Sequence, residues 1–209
     1  MRHPLRVITL LGLTLAPLGL PTGLVAQRPG RWSLHVAASH ESFSGASRDT
    51  TTIPGAPVDV HPAPRLALEL GIGRRFGAWE LTLDGAYAPG NLRAVTDALA
   101  LDNRDGGVDR YRLALRLGHE LARLPAARLL VEAGVATDHW AISDGSGRTT
   151  LAGQGGLRLR VPLGRGFALE QSALFTLGGT PFAKSALPPE AELSSLKTWS
   201  LGVGLRRGW

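Results

Sequence analysis

The residues of this 209-residue chain best suited to chemistry stand at His40-Glu41-Ser42. In an extended strand, residues two apart share a face, so His40 and Ser42 fall together and Glu41 falls opposite. A serine beside a histidine forms a nucleophile when a third group orients the base. Asp102-Asn103-Arg104-Asp105-Gly106-Gly107-Val108-Asp109 is a second candidate, with three carboxylates among glycines. Calcium takes oxygen ligands from such loops, but the spacing departs from the calcium-loop pattern and no Glu closes it. The remaining histidines, His35, His61, His119 and His139, occur singly, without zinc-type spacing. Gly71-Ile72-Gly73 lies inside an apolar alternation and reads as a packing requirement of a strand, not a phosphate cradle. There is no cysteine, which excludes a disulfide scaffold, a thiolate metal site and a cysteine nucleophile. The expectation is a chain with no catalytic, cofactor-binding or metal-ligating residues and no cofactor, in which these polar groups are solvated loop and strand-end residues.

The elements that would position such groups begin after an N-terminal leader. Arg2, His3 and Arg6 precede an apolar run from Val7 to Leu20, and Leu24-Val25-Ala26 supplies small residues before Gln27. This is the pattern of a secretory signal peptide over 1–26, leaving 27–209 as one domain. The run is shorter than a membrane anchor requires and is interrupted by Thr9, Thr14 and Pro17. Hydrophobic residues make up 44% and charged residues 19%, a composition that folds. Without Arg2 and Arg6 the net charge falls from +6 to +4, and no basic tract remains, so nucleic acid is not an expected partner.

A period of two recurs along the rest of the chain. Leu66, Leu68, Leu70 and Ile72 alternate with small or charged residues; so do Trp79, Leu81 and Leu83, then Tyr111, Leu113, Leu115 and Leu117. The pattern returns at Leu129 to Val135, Leu157 to Val161, Phe167 to Leu177 and Trp199 to Leu205, and more weakly at Trp32, Leu34 and Val36. A helix would need spacings of three and four. Eight strands are expected. Short connections fall near Arg75 to Ala78, Leu124 to Ala127 and Gly164 to Gly166, where Gly and Pro favour tight turns. Long polar connections fall near 44–64, 89–108, 139–150 and 179–196. Within them, Leu92 to Leu101 has helix-like composition, and Pro54, Pro57, Pro62 and Pro64 are expected to keep the first loop from adding a strand. Gln171 departs from the apolar face of its segment and suggests a bulge there.

Alternation alone does not orient the two faces. In a soluble lipocalin-like carrier the apolar face points inward around a ligand; in a membrane barrel it points outward into lipid. Four features favour the membrane. Small residues crowd the non-apolar face at Ala67, Gly71, Gly73, Ala86, Ala114, Gly118, Gly134, Gly156, Gly202 and Gly204, as a lumen just wide enough for side chains requires. The same face carries Arg65, Arg75, Arg110, Arg112, Arg116, Arg158, Arg160 and Arg206 against Glu41, Glu69, Glu80, Asp84, Glu120, Glu132, Asp138 and Glu170, a balance that buried charges need. Trp32, Phe76, Trp79, Tyr87, Tyr111, Trp140, Phe167, Phe175, Trp199 and Trp209 lie near segment ends, where interfacial aromatics belong. The last segment runs Trp199, Leu201, Val203, Leu205, Trp209, interrupted by Arg207.

The final eleven residues resemble the C-terminal signal of outer-membrane barrels, which the barrel-assembly machinery reads. The whole chain after the leader resembles the small eight-stranded outer-membrane barrels, the group of outer-membrane protein X and the barrel domain of outer-membrane protein A. That resemblance implies an all-β, eight-stranded antiparallel transmembrane barrel in a Gram-negative outer membrane, with short periplasmic turns and four long extracellular loops. Its partners would be outer-membrane lipid and lipopolysaccharide, and the assembly machinery through the strand ending at Trp209. It implies a structural or surface-interaction role, with a lumen filled by paired charges. In size and strand number the chain also resembles the lipid A deacylases, whose site has a His and a Ser two apart; here Phe43, not Asn, follows Ser42, and no clear acid partner is present. A lipid A-modifying enzyme, a narrow channel and the soluble carrier are the alternative readings.

Overall fold

The computed structural model describes residues 32–49, 58–96, 100–143, 147–182 and 192–209. The leader reading lies outside them. Eight long antiparallel strands close on themselves: β1 (Trp32–Ser44), β4 (Arg65–Phe76), β5 (Trp79–Ala88), β7 (Ala100–Arg123), β8 (Arg128–Ile142), β9 (Gly147–Gly164), β10 (Phe167–Gly178) and β12 (Leu196–Gly208). Each pairs with its sequence neighbour in the barrel, and β1 seals the seam against β12 from Ser33↔Gly208 to Ser44↔Lys197. Three tight turns and both described ends gather at one end. Gly77, at φ +62°, turns β4 into β5, and Arg165 and Gly166, at +51° and +80°, turn β9 into β10. The Trp32 N–H donates to the Trp209 carbonyl, and the Trp209 N–H to that of Trp32. Short turns at one end and long loops at the other make the first end periplasmic and the second extracellular.

The faces are oriented as a membrane requires. Leu66, Leu68 and Leu70 are each 58% exposed and Leu201 66%, and the outward sides of the other strands match them. The charged side chains of the opposite face point inward; Arg110, Arg116, Arg158 and Arg206 are nearly inaccessible. A contiguous apolar belt of this extent is incompatible with a solvated surface, so the soluble-carrier reading is overturned.

Three other expectations are corrected. The stretch from Leu92 is not a helix: β6 (Asn91–Val95) pairs with β7, whose first residues are Ala100 and Leu101. Pairing with a neighbour outweighs an intrinsic helix preference of a few tenths of a kcal/mol per residue. The prolines do not bar a strand in the first loop either. β3 (Val58–Pro62) pairs with β2 (Ser47–Asp49) on one side and β6 on the other. Pro62 closes β3, where its missing N–H interrupts nothing further along the ladder; Pro54 and Pro57 lie outside the described residues. Lastly, β10 passes Gln171 in unbroken register between Val203 and Leu159, and its register shift falls at Phe167/Ala168 instead.

Together with β11 (Glu192–Leu193), the strands β2, β3 and β6 continue the β7 ladder beyond the barrel. Strands of the barrel itself are also longer than the alternation suggests. β8 reaches Ile142 and β9 begins at Gly147, so most of the 139–150 span is strand. Among the described residues no helix is long and apolar enough to cross a membrane.

Candidate functional site

The lumen fills in tiers. Nearest the periplasmic turns, Glu170 accepts from Arg160 Nε and Arg206 Nε, both at 2.7 Å, and from Arg158 Nη1 at 3.0 Å. Glu80 takes both Nη groups of Arg160, at 2.9 and 3.0 Å, and lies 2.8 Å from Arg206 Nη2. The second tier holds Arg158 on Glu132 and Arg116 on Asp84, with Nε donating at 2.8 Å. His35 joins it, Nε2 lying 2.7 Å from Asp84 Oδ1. Above them Arg112 donates to both oxygens of Asp138, at 2.6 and 2.8 Å, and Arg110 pairs with Glu41. All sixteen charges expected to share a face point into this lumen or its periplasmic rim, where Arg75, Arg123 and Arg128 converge on Glu120. The pairs join residues far apart in sequence, Arg160 reaching Glu80 across 80 positions and Arg206 reaching it across still more.

The small residues earn their positions by what surrounds them. A Cβ on Gly71 would collide with the Asp84 carboxylate and the His35 ring. One on Gly73 would lie 2.9 Å from both Arg206 Nη1 and Ser33 Oγ. Among the described residues, a small cavity of about 20 Å³ lies beside Glu69, Arg112, Gln154 and Leu174, room for about one or two waters.

At the extracellular end the filling changes character. Phe43, Ala46, Val108, Trp140, Phe182 and Leu196 form a buried apolar cluster over the charges, with Val60, Leu92, Ile142 and Leu193 packed against it. Trp140 has no exposed surface. It meets Phe43 edge-on, centroids 6.4 Å apart, and donates from Nε1 to Thr150 Oγ1 at 3.3 Å. Arg65 lies beneath both rings, 4.8 Å from the Phe43 centroid and 5.5 Å from that of Trp140. It donates to the carbonyls of Ala88 and Val108 at 3.0 and 2.7 Å, and Arg148 ties the Phe182 carbonyl to β9. The expectation that Trp140 sits at the membrane interface is therefore wrong. It stands at an inward register of β8, opposite Arg110. The other nine aromatics named with it point outward or stand at strand ends, Tyr87 on Tyr111 at 5.1 Å and Phe175 on Trp199 at 4.8 Å among them.

The chemical candidates are dispersed. His40 is exposed and Ser42 half-buried on the outer face, while Glu41 turns inward to Arg110. The register sets Leu66 and Leu201 beside His40 and Trp199 beside Ser42, none able to serve as the acid. The aspartate-rich segment is the first half of β7; side chains 102–106 lie outside the described residues, and Asp109 accepts from the Tyr87 hydroxyl at 3.0 Å. His61 Nδ1 contacts the Pro62 carbonyl, His139 Nδ1 contacts Thr149 Oγ1, and His119 stacks on Trp79. Sequence reasoning missed His35, Leu174 and the mouth cluster. Inward parity, shared with Glu41 and Glu170, marked the first two; the cluster had no local signal.

No family model matches the sequence, and no curated protein matches it. Solved structures do match. Neisserial surface protein A is 9% identical with TM-score 0.62, covering 88% of this chain and 100% of that one. Outer membrane protein AlkL, solved in lipid bilayers, is 15% identical with TM-score 0.52, covering 90% and 94%. Ail of Yersinia pestis is 15% identical with TM-score 0.45, covering 86% and 99%. With its apolar belt outward and its charges paired within, the chain has the fold of the small eight-stranded outer-membrane barrels.

Proposed function

We propose that this chain acts as a closed structural barrel whose extracellular face makes surface contacts, without enzymatic activity and without conducting. In this reading residues 27–209 are the domain left after signal cleavage. The observation that carries it is the filled lumen: among the described residues, buried and paired charges lie beneath an apolar lid, and the cavity beside Glu69 and Arg112 holds about one or two waters. The extracellular strands β2, β3, β6 and β11 continue from the rigid barrel, and loops on a rigid scaffold are where recognition resides. Outer-membrane lipid and lipopolysaccharide are the partners of the belt. The outward row Trp199, Leu201, Val203 and Leu205 on β12, with Trp209 just beyond it, supports recognition of this strand by the barrel-assembly machinery.

The test is a paired comparison of cells with and without the chain, together with planar-bilayer recording of the purified barrel. The expected results are no stepwise conductance, an unchanged lipid A mass spectrum and an altered detergent resistance or surface adhesion. Discrete channel openings would overturn the closed-barrel reading. A lipid A mass shift abolished by His40→Ala would replace the structural role with an enzymatic one. For the assembly step, Trp209→Ala should lower the yield of heat-shiftable barrel in the outer membrane; an unchanged yield removes that step.

A further inference from the structure

The outer face at the periplasmic end holds a constellation that neither the lumen nor the mouth uses. Arg74 near the end of β4 and Arg207 near the end of β12 flank β1, in register with Trp32 and Leu34, and both are exposed. The Arg74 guanidinium lies 5.1 Å from the Trp32 ring and 5.0 Å from that of Phe76. Arg207 lies 5.5 Å from the Phe167 ring. The β9–β10 turn brings Arg165 to the same end, where the Gly208 N–H donates to the Gly166 carbonyl at 2.8 Å. Among the described residues, Arg74, Arg165 and Arg207 make no ion pair or hydrogen bond, whereas Arg75, on the opposite face one residue away, is held by Glu120. The nearby carboxylates Glu80 and Glu120 both belong to the lumen and its rim.

Arg207 is set in the outward row between Leu205 and Trp209, where a charge is tolerated only at headgroup depth. The rings set that depth, because Trp seats at the membrane interface. They also hold the guanidinium groups by cation–π attraction while leaving their N–H groups unused. A guanidinium fork with free donors matches a phosphate, which accepts two parallel hydrogen bonds. Two strand spacings place the backbones of β4 and β12 about 10 Å apart across β1, a span that two arginine side chains can close upon one headgroup.

We propose that Arg74 and Arg207, steadied by Trp32, Phe76 and Phe167, form a binding site for the phosphate of an anionic phospholipid in the periplasmic leaflet. The proposal rests on the reading of the outer face as lipid-embedded. Its occupant is a lipid rather than a free anion, because the cations project from an apolar belt and not from a polar pocket.

The experiment uses the full folded chain in detergent, first checked for a gel shift between boiled and unboiled samples. Phosphatidylglycerol and phosphatidylcholine are then added in equal amounts, and retained lipid is read by native mass spectrometry. The wild type should retain phosphatidylglycerol preferentially. Arg74→Gln and Arg207→Gln should each cut that preference roughly fivefold, the effect of about one interfacial charge. Arg74→Lys, which keeps the charge and loses the fork, should lie between, and Lys197→Gln at the opposite end should have no effect. Equal retention of the two lipids, or a preference unchanged in the Gln variants, overturns the site. Displacement of the lipid by excess inorganic phosphate alone also overturns it, as the mark of a simple anion site. A wild type without the gel shift defeats the barrel reading itself, an outcome distinct from a folded barrel that shows no lipid preference.

Discussion

The lower lumen and the extracellular mouth fill the same bore in opposite ways. Around Glu170 the filling is ionic: three arginines converge on one carboxylate, and two of them also engage Glu80. Around Trp140 it is apolar, with Phe43, Val108, Phe182 and Leu196 closing over Arg65 and Arg110. The difference follows from where each region gets its partners. In the bore, side chains from all eight strands face one another at fixed register, so opposite charges meet across the axis. At the mouth, segments outside the barrel, such as Ala46 and Phe182, fold back and supply hydrocarbon. Ion pairs hold geometry but yield little net stability against an apolar replacement, whereas breaking one strands a buried charge. The bore is therefore the region least able to lose a single residue, and the mouth the region where loss stays local.

Glu170→Ala is the largest break. It leaves Arg158, Arg160 and Arg206 short of a partner in the interior, and should cost about 3–5 kcal/mol in denaturant unfolding from lipid or detergent. A loss within 1 kcal/mol, a factor of about five in the folding equilibrium, would mean that the tier rearranges around Glu80 and Glu132. Trp140→Ala should cost about 3 kcal/mol at the cluster yet keep the boiled-versus-unboiled gel shift. External protease should then cut the extracellular strands, and if Trp140 seals the bore, ion leak should rise. An intact protease pattern would show that the cap does not depend on this ring.

Gly71→Val sharpens the contrast from the side of volume. The added side chain meets Asp84 and His35 in a packed tier, and overpacking of this kind costs about 1–3 kcal/mol. The same substitution at Gly153, whose Cβ would meet nothing within 4 Å, should be almost silent. Among the ion pairs, the smallest effect belongs to Arg123→Gln at the periplasmic rim. That arginine is 67% exposed against Glu120, and solvent screening limits such a pair to about 0.5 kcal/mol. A loss as large as that of Glu170→Ala would show that burial is not what separates rim from bore.

Much of the barrel was legible before any fold was known. The alternation from Leu66 to Ile72 marked both β4 and its lipid side, and Gly71 and Gly73 marked a crowded interior beneath it. The equal numbers of inward acids and bases announced ion pairing, though not the partners. The mouth was not legible in this way. Trp140 resembles an interfacial aromatic by composition and position, and only its inward parity at the extended end of β8 sends it into the cap. Leu92 to Val95 looked helical because its ladder partners, Ala100 to Asn103 on one side and Asp59 to Pro62 on the other, are distant or unremarkable in sequence.

The sequence by itself determined which strand residues share a face, because side chains on a strand alternate with a period of two, and the glycines and balanced charges of one face marked it as the interior. It also determined that the interior must be small-residued and charge-balanced, since every buried charge needs a counter-charge. Tertiary structure alone decided that Arg160 reaches Glu80 across 80 positions, that β1 seals β12, and that Trp140 and Phe182 cap the bore. Those contacts depend on register and on closure of the sheet, which bring together residues that no local spacing relates.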